Sequence, residues 1–243
     1  THIDRVMVIE EALSTQDLAA RACHGLPKSH APTLVVASRQ LMGRGQRASN
    51  WFDAAGCTLP CSLAIGQKLL PYSNAELAAR FGIAALATIQ TLAPKHNVKI
   101  KWPNDVVVLD DQTSKKISGV LIEHARDSIV IGIGINCLQQ ASDYEASIQH
   151  TAISLAQLGI QIRRIDVALT LVESIERWVF HASVEELLSN WEAHDALLGT
   201  TQKFVHNNIP SVGRVVEINP LECIKIESST GQLELPVEQT RMV

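Results

Sequence analysis

Apolar and polar residues alternate along this chain with two different periods. Short apolar runs rich in Val, Ile and Leu, bounded by Gly, Pro or polar residues, predict β-strands. Apolar residues spaced three and four positions apart predict amphipathic helices. The predicted strands are 6–9, 33–38, 57–65, 98–102, 106–109, 117–123 and 128–135, and the first is expected to be buried. The predicted helices are 15–23, 74–92, 165–179 and 184–194, with a shorter one at 153–158.

This order of elements predicts an α/β (or α+β) fold in which helices flank a mixed β-sheet. Two of the helices carry capping signals at their starts. Ser14 precedes the helix at 15–23, and Ser183 precedes the helix at 184–194 with Glu186 three residues later. The second arrangement is typical of a capping box, in which the serine and the glutamate each bond a free backbone N–H.

From about Gly199 onward the pattern changes to short β-like runs separated by Gly, Asn, Pro and Ser. The runs are 203–205, 214–218, 223–226 and 232–235. Closely spaced short strands of this kind predict a small β-barrel. We therefore expect an α/β domain at 1–198 and a β domain at 199–243.

The composition favours a globular protein over a nucleic-acid binder. Of the 243 residues, 46% are hydrophobic and 19% are charged, and the formal net charge is −4. Neutralising phosphates requires an excess of Lys and Arg that this chain lacks. No apolar run approaches the roughly 18 residues that cross a bilayer, and the first residues lack the pattern of a signal peptide. We expect a cytoplasmic protein with no membrane partner.

The five cysteines are expected to be buried thiols in a reducing compartment. Their number is odd, and a chain of this length does not need a disulfide framework. Cys57 and Cys61 are four residues apart, but no second pair lies at the spacing of a zinc site.

The loop at 39–56 carries the segment Gly43-Arg44-Gly45-Gln46-Arg47. Glycines let backbone amides approach a ligand, and arginines supply fixed cations for phosphate or carboxylate, so the loop could hold a nucleotide. An exposed loop whose arginines only keep it solvated is an equally good interpretation. Trp51, at the end of the loop, could pack on a flat ligand ring or belong to the core.

Residues 99–105 form the most specific string in the chain. Asn104 and Asp105 follow a strand and Pro103, at the kind of strand end where ligand sites concentrate. Asp105 could contact Mg²⁺ on ATP phosphates, although Pro-Asn-Asp also serves as an ordinary turn. Lys116 then opens an apolar strand that contains Gly119, where a ligand could approach the backbone. The alternative for Lys116 is a solvated hairpin lysine.

Taken together, these segments resemble the catalytic domain of biotin–protein ligases. The likeness covers nearly the whole chain, with the motifs in the family's order, and residues 199–243 resemble the family's small SH3-like domain. Lys101–Asp105 matches the family's Lys-Trp-Pro-Asn-Asp signature. The other matching segments are Ser14-Thr15, Gln40 with 43–47 and Trp51, Lys116 with Gly119, and Ile133-Gly134-Ile135-Asn136.

The chain also departs from the family's pattern. Gln16 stands where the family usually has Asn, Gln46 where it often has Arg, and Ala48 and Ser49 where it often has Gly-Arg. The changes at 46–49 leave open how tightly an adenylate is retained. The family's larger regulators carry an N-terminal helix-turn-helix, and we expect none here and hence no DNA partner.

The resemblance implies activation of biotin by ATP to biotinyl-5′-AMP, followed by transfer to a lysine of a carboxylase's biotin carrier domain. It leaves open a homodimer. Lys116, Arg44 and Asp105 would be catalytic, with Asp105 a candidate Mg²⁺ contact. The implied biotin-binding residues are Ser14, Thr15, Gln40, Gly43, Arg44, Lys116 and Gly119. The implied nucleotide-binding residues are Arg44, Gln46, Arg47, Trp51, Asn104, Asp105 and Asn136.

Three other functions stay open. A lipoate or octanoate ligase would share the fold and the lysine, but no Arg-Arg-x-x-Gly-Gly-Gly stretch of lipoate ligases is present. A non-catalytic biotin-binding module would explain the altered 46–49 stretch. The third is an ATP-dependent ligase for another small carboxylic acid.

Overall fold

A seven-stranded sheet forms the centre of the fold in the computed structural model, which describes residues 2–23, 32–45, 50–53, 56–110, 113–126 and 128–243. Its spatial order is β1-β2-β5-β9-β8-β7-β6, and only β1 and β2 pair in parallel. The strands are β1 (Arg5–Ala12), β2 (Thr33–Gln40), β3 (Gly43–Arg44), β4 (Asn50–Trp51), β5 (Thr58–Gly66), β6 (Val98–Lys101), β7 (Asp105–Leu109), β8 (Ser114–Ala125), β9 (Ser128–Asn136), β10 (Thr201–His206), β11 (Ile209–Asn219), β12 (Cys223–Ser228), β13 (Gly231–Pro236) and β14 (Thr240–Met242). The predicted mixed α/β class is confirmed.

The helices are α1 (Thr15–Cys23), α2 (Asn74–Leu92), α3 (Arg164–Ile175) and α4 (Val184–His194). The predicted helix 165–179 is wrong at its end, because α3 stops at Ile175 and continues as a π-helical segment, Glu176–His181. Only Ala156–Leu158 of the predicted helix at 153–158 is helical, as a 3-10 turn. None of the helices among the described residues is long and apolar enough to cross a bilayer.

The helices cover the two faces of the sheet differently. Odd-numbered residues of β5 and β9, such as Leu63 and Ile131, belong to the large core under α2 and α3. The adjacent even-numbered residues, Ala64 and Val130, pack with Ala19 of α1 on the opposite face. Both faces are therefore buried near the sheet's centre, as the period of two along a strand requires.

Two expectations at the N-terminus are wrong. The strand predicted at 6–9 is not buried: Val6 is 55% exposed and Val8 is 71% exposed, because β1 is an edge strand whose one neighbour among the described strands is β2. The Ser14 hydroxyl does not cap α1, since it is buried with no hydrogen-bond partner. The cap predicted for α4 is confirmed, because the Glu186 N–H donates to Ser183 Oγ while Glu186 accepts from the Ser183 N–H.

The C-terminal strands form a five-stranded antiparallel sheet in the order β13-β12-β11-β10-β14. Its two outermost strands are joined by only three residues, Val237–Gln239. Such a link spans about 10 Å, whereas a flat sheet of five strands is about 19 Å wide, so the sheet must curl towards a barrel. Phe204 and Ile224 belong to the same core cluster as α2, and the domain boundary at 198/199 stays a prediction.

None of the five cysteines forms a disulfide bond. Cys61, Cys137 and Cys223 are buried, whereas Cys23 and Cys57 are only partly so. Burial raises the pKa of Cys61 and of Cys137 to about 12, so neither supplies a thiolate nucleophile at neutral pH.

Candidate functional site

A cleft of about 320 Å³ opens on the α1 side of the central sheet. Its floor is made by two paired positions of β8 and β9, where Gly119 lies opposite Gly134 and Leu121 opposite Gly132. Along β9, Gly132 and Gly134 continue the alternate positions that begin with Val130 under α1. Because Gly132 and Gly134 carry no side chain, no side chain of β9 covers the sheet surface beyond the N-terminal end of α1.

Trp51 covers one of the bare positions. Its indole ring lies so close to Gly134 that a Cβ there would overlap ring atoms. The ring reaches the sheet from the hairpin of β3 and β4, in which Trp51 pairs with Gly43. Trp51 Nε1 is buried with no hydrogen-bond partner. The ring therefore forms a wall of the cleft, not part of the hydrophobic core.

Lys116 reaches the cleft because β8 contains a bulge. Val106 and Val107 are adjacent on β7, but their partners Ser118 and Lys116 are two residues apart, so Ile117 is an extra residue. A bulge re-aims the side chains on one side of it, and here it puts Lys116 on the same face as Gly119. A Cβ at Gly119 would lie 2.8 Å from both Nζ and Cε of Lys116.

Lys116 Nζ forms an ion pair of 2.6 Å with Asp105 Oδ1 and lies 5.5 Å from the centre of the Trp51 ring. The lysine is 38% exposed and the aspartate 30% exposed, so both can meet a ligand. The Lys116 backbone is fixed, because its N–H donates to the Thr151 carbonyl and its carbonyl accepts from Ile153. The ammonium is thus presented from a rigid strand.

The Asn104 side chain is hydrogen-bonded within the protein. Its side-chain amide donates to the Val120 carbonyl, and the Val120 N–H donates back to the Asn104 carbonyl at 3.2 Å. The side chain is 4% exposed. The turn before Asp105, which contains a cis Trp102–Pro103 bond, is therefore tied to β8 beside Gly119.

A chain of buried polar groups lines the side of the cleft below α1. Gln40 Oε1 accepts from the Thr15 N–H at 2.8 Å and from Thr15 Oγ1 at 3.0 Å. Thr15 Oγ1 lies 2.8 Å from Ser62 Oγ. The start of α1 and the end of β2 are thus locked together by side chains.

Two acceptors beside this chain have no partner: Ser14 Oγ and Gln16 Oε1, both buried. Gln16 lies over Gly132, where a Cβ would come within 3.0 Å of its Cδ, and its Nε2 donates to the Leu121 carbonyl at 3.4 Å. A buried acceptor without a donor costs free energy unless a ligand satisfies it. The sequence motifs do not predict Gln16 as a site residue, because in the sequence it is only a departure from the family's pattern.

Arg44 lines the cleft but is held by two carboxylates of the protein. Its guanidinium donates to both oxygens of Asp17 at 2.9 and 3.1 Å, and to both oxygens of Glu123 at the same distances. The hydrogen bonds to Asp17 and then to Glu123 raise the pKa of Arg44, and the hydrogen bonds from Arg44 lower the pKa of Asp17. The arginine ties the hairpin to α1 and β8.

The structure brings most of the predicted site residues together. Those that line the cleft are Thr15, Gln40, Arg44, Trp51, Asn104, Asp105, Lys116 and Gly119. Further lining residues not predicted include Gln16, Asn50, Lys101, Gly132, Met242 and Val243. Met242 belongs to β14 of the C-terminal sheet and Val243 follows it, and no motif in the sequence connects them with the other site residues.

Three predicted residues lie outside this lining. Ser14 is buried beside Thr15, and Gly43 is packed against Gln40 and Trp51, where a Cβ would lie 2.6 Å from Gln40 Nε2. Asn136 Nδ2 donates to the carbonyls of Lys116 and Ile153, and its Oδ1 accepts from Gln139. Gln46, Arg47, Ala48 and Ser49 lie outside the described residues.

Among the described lining residues, Asp105 is the carboxylate available for a cation. Mg²⁺ is commonly held by one or two carboxylates together with substrate phosphates. Asp105 fits that role as a single protein ligand, next to a lysine that can balance the phosphate charge.

Comparison with known proteins gives a consistent result. A family model described as the biotin/lipoate A/B protein ligase family matches residues 11–139. The chain is similar to the bifunctional ligase/repressor BirA of Bacillus spizizenii, with 28% identity over 241 residues, 92% of this chain and 72% of that protein. It is also similar to the biotin–[acetyl-CoA-carboxylase] ligase of Mycobacterium tuberculosis, with 25% identity over 200 residues, 80% of this chain and 71% of that protein.

Among solved structures, the chain is similar to the biotin protein ligase from Aquifex aeolicus in complex with biotin and ATP. The TM-score is 0.82 at 23% sequence identity, and the match covers 99% of each chain. At this identity the likeness establishes the fold.

Proposed function

The chain belongs to the biotin/lipoate A/B protein ligase family, and from this premise we propose that it is an ATP-dependent biotin–protein ligase. In this proposal it converts biotin and ATP to biotinyl-5′-AMP and pyrophosphate. It then transfers the biotinyl group to a lysine of a carboxylase's biotin carrier domain.

One observation carries the proposal: Gln16, with its unpaired oxygen, and Lys116, with its partner Asp105, lie over neighbouring positions of the same two strands, β8 and β9. Gln16 lies over the Leu121–Gly132 pair, and Lys116 lies over the Gly119–Gly134 pair. Positions two residues apart along a strand are about 7 Å apart. A small ligand with a polar head and a carboxylate tail could therefore reach both groups at once.

The polar end suits a cyclic urea. Thr15 and Gln40 line this end of the cleft with hydroxyl and amide groups, Ser14 lies buried beside Thr15, and Gln16 Oε1 adds an acceptor that needs a donor. A ureido ring has both N–H donors and a carbonyl acceptor, whereas the ring of lipoate has neither. This difference favours biotin over lipoate as the substrate.

In the first step an oxygen of the biotin carboxylate attacks the α-phosphorus of ATP. The bond from that phosphorus to the bridging oxygen breaks, and pyrophosphate leaves. Such a transfer depends mainly on positioning and on neutralising charge. Lys116 would stabilise the charge on the carboxylate and α-phosphate, which requires its ammonium to turn from Asp105 towards the substrate.

The remaining predicted residues have supporting roles in this proposal. Asp105 would hold Mg²⁺ with phosphate oxygens, which supplies further charge neutralisation when the ion is bound. Trp51 would pack beside the adenylate, and Asn104 would keep Asp105 in place. Arg44 would meet the biotin carboxylate or the phosphate after exchanging partners with Asp17 and Glu123. Gly43, Gly119 and Asn136 shape the site, and Gln46 and Arg47 are proposed nucleotide contacts.

In the second step the acceptor lysine's neutral amine attacks the biotinyl carbonyl carbon. An amide bond forms, the bond from that carbon to the phosphate oxygen breaks, AMP leaves and the nitrogen loses a proton. The hairpin that bears Trp51 would exclude water from the mixed anhydride. Five cysteines without a disulfide bond support a reducing compartment such as the cytoplasm. A homodimer stays a proposal.

Incubation with biotin, Mg²⁺-ATP and a biotin carrier domain tests the proposal, with mass spectrometry of the carrier. We expect one added biotinyl group that depends on ATP. A parallel reaction with lipoate, together with calorimetric titration of the protein with each acid, distinguishes a biotin ligase from a lipoate ligase. Biotin binding without transfer would identify a non-catalytic binding module, and transfer of lipoate alone would overturn the assignment.

A further inference from the structure

Two histidines and a glutamate meet on the surface away from the cleft, where residues 2–4 cross the end of α3. His2, Glu176 and His181 each present a ligand atom there, and all three atoms lie within 4.8 Å of one another. Among the described residues, no other group of His, Cys, Asp or Glu side chains is gathered in this way. We propose that this trio binds a divalent transition-metal ion, with Zn²⁺ as the reference ion.

The distances require only small adjustments for a metal. His2 Nδ1 lies 2.9 Å and His181 Nε2 lies 4.0 Å from the same oxygen, Glu176 Oε2. Zn²⁺ binds His nitrogen and carboxylate oxygen at about 2.0–2.2 Å, so tetrahedral ligands stand about 3.3 Å apart. His181 is 60% exposed and can rotate inward. Two imidazoles and one carboxylate leave a fourth position for water.

The π-helical segment brings His181 to this place. Residues five apart in an α-helix point in different directions, whereas the wider turn of a π-helix, closed by i→i+5 hydrogen bonds, stacks them on one side. Glu176 and His181 are five apart and span this segment. A π-helical turn is rare and is often associated with function. Here it aligns a carboxylate with an imidazole.

The glutamate is anchored in the way that metal ligands usually are. Its Oε1 accepts from the backbone N–H groups of His2 and Ile3 at 2.5 and 3.3 Å, and its side chain is only 15% exposed. The other oxygen faces the imidazoles. Hydrogen bonds that orient a ligating carboxylate are a regular part of metal sites.

The His2 ring is held as well. It stacks on Phe180, with ring centres 4.4 Å apart and planes 4° apart. Phe180 belongs to the same π-helical segment as His181. Two of the three ligands are therefore positioned before a metal arrives, and a bound ion would fasten residues 2–4 and the start of β1 to the helical layer.

Titration of the apo protein with Zn²⁺, followed by calorimetry and thermal unfolding, tests this site. We expect one ion per chain from this site. At a free Zn²⁺ concentration about 100 times the Kd, the Tm should rise by about 5 °C or more, and a chelator should reverse the rise. His181→Ala and Glu176→Gln should each weaken binding at least tenfold.

His150→Ala is the matched control, because His150 is exposed and distant in the sequence. It should bind Zn²⁺ as the unmodified protein does. Because His181 is exposed, His181→Ala should fold normally, and its Tm without metal checks this directly. Absence of binding, or an unchanged Kd in both His181→Ala and Glu176→Gln, overturns the proposal and leaves His2–Glu176 as an ordinary ion pair. Biotinylation is not needed for this readout.

Discussion

Lys116 Nζ lies 2.6 Å from Asp105 Oδ1, although the two residues belong to different strands and the lysine reaches the aspartate only across a bulge. The pair is partly exposed, and such pairs contribute little to folding stability. The pair lies in the lining of the cleft, beside Gly119 and Trp51, and this position is the basis of its proposed catalytic role.

Replacing Lys116 by alanine should remove adenylate formation and leave the fold intact. The lysine is the cation nearest to Asp105, and losing charge stabilisation at a phosphoryl centre typically reduces the rate by about 10²–10³-fold or more. Pyrophosphate release with biotin and ATP measures the effect. Lys115→Ala, one residue before Lys116 and outside the cleft lining, should leave activity unchanged. Near-normal pyrophosphate release from Lys116→Ala would rule out the catalytic assignment.

The strongly periodic elements could be predicted from the sequence. The bounds of α2 and α4 were predicted to the residue, because each carries a long amphipathic pattern and α4 also has a capping box. Most strands were predicted within a few residues. The buried character of β1 was not, because an apolar run does not reveal whether the strand lies at the edge of its sheet.

The site could be predicted as a set of residues but not as an arrangement. The motifs indicated Lys116 and Asp105, but the bulge at Ile117 that makes them neighbours has no signal in a single sequence. Gly119 was interpreted as a place where ligand could approach, and the structure puts the Lys116 side chain there. The two carboxylates around Arg44 are 27 and 79 residues away in the chain, and only tertiary structure brings them together.

Gly134→Ala should disrupt the wall formed by Trp51. The added methyl group would overlap the indole ring, and the short hairpin that carries the ring can move more easily than the central strand β9. We expect the KM for ATP to rise about tenfold, with a small change in stability. Steady-state kinetics and urea unfolding measure the two effects.

Gly66→Ala is the control for this change, because the nearest atom to its Cβ is 3.9 Å away. If Gly134→Ala and Gly66→Ala have the same KM, the contact between Trp51 and the sheet does not shape the nucleotide site.

Protonation of Asp17 should weaken the tie between Arg44 and α1. Hydrogen bonds from Arg44 lower the Asp17 pKa below its ordinary value of 3.8. The folded state therefore binds this proton less readily than the unfolded state. The stabilisation is fully present above pH 3.8 and is lost as the pH falls through the folded pKa. The pair is half exposed, so the effect will be small.

Urea unfolding between neutral pH and pH 3 measures this dependence. Asp17→Asn should be slightly less stable at neutral pH and should lose less stability on acidification than the unmodified protein. Asp4→Asn, at an exposed carboxylate, should follow the unmodified curve. Parallel curves for Asp17→Asn and the unmodified protein would show that the pairing of Asp17 with Arg44 does not contribute to folding stability.

Gln16→Met should change stability and substrate binding in opposite directions. In the free protein Oε1 is a buried acceptor without a donor, and Nε2 makes only a long bond of 3.4 Å. Removing such an acceptor should stabilise the fold by up to about 1 kcal/mol. If a ureido N–H donates to Oε1, the same change should raise the biotin KM about five- to tenfold with kcat unchanged. Gln67→Met, at an exposed position, should alter neither quantity. A stabilised variant with an unchanged KM would show that the carbonyl does not face biotin, whereas a destabilised one would reveal a partner for Oε1 within the protein.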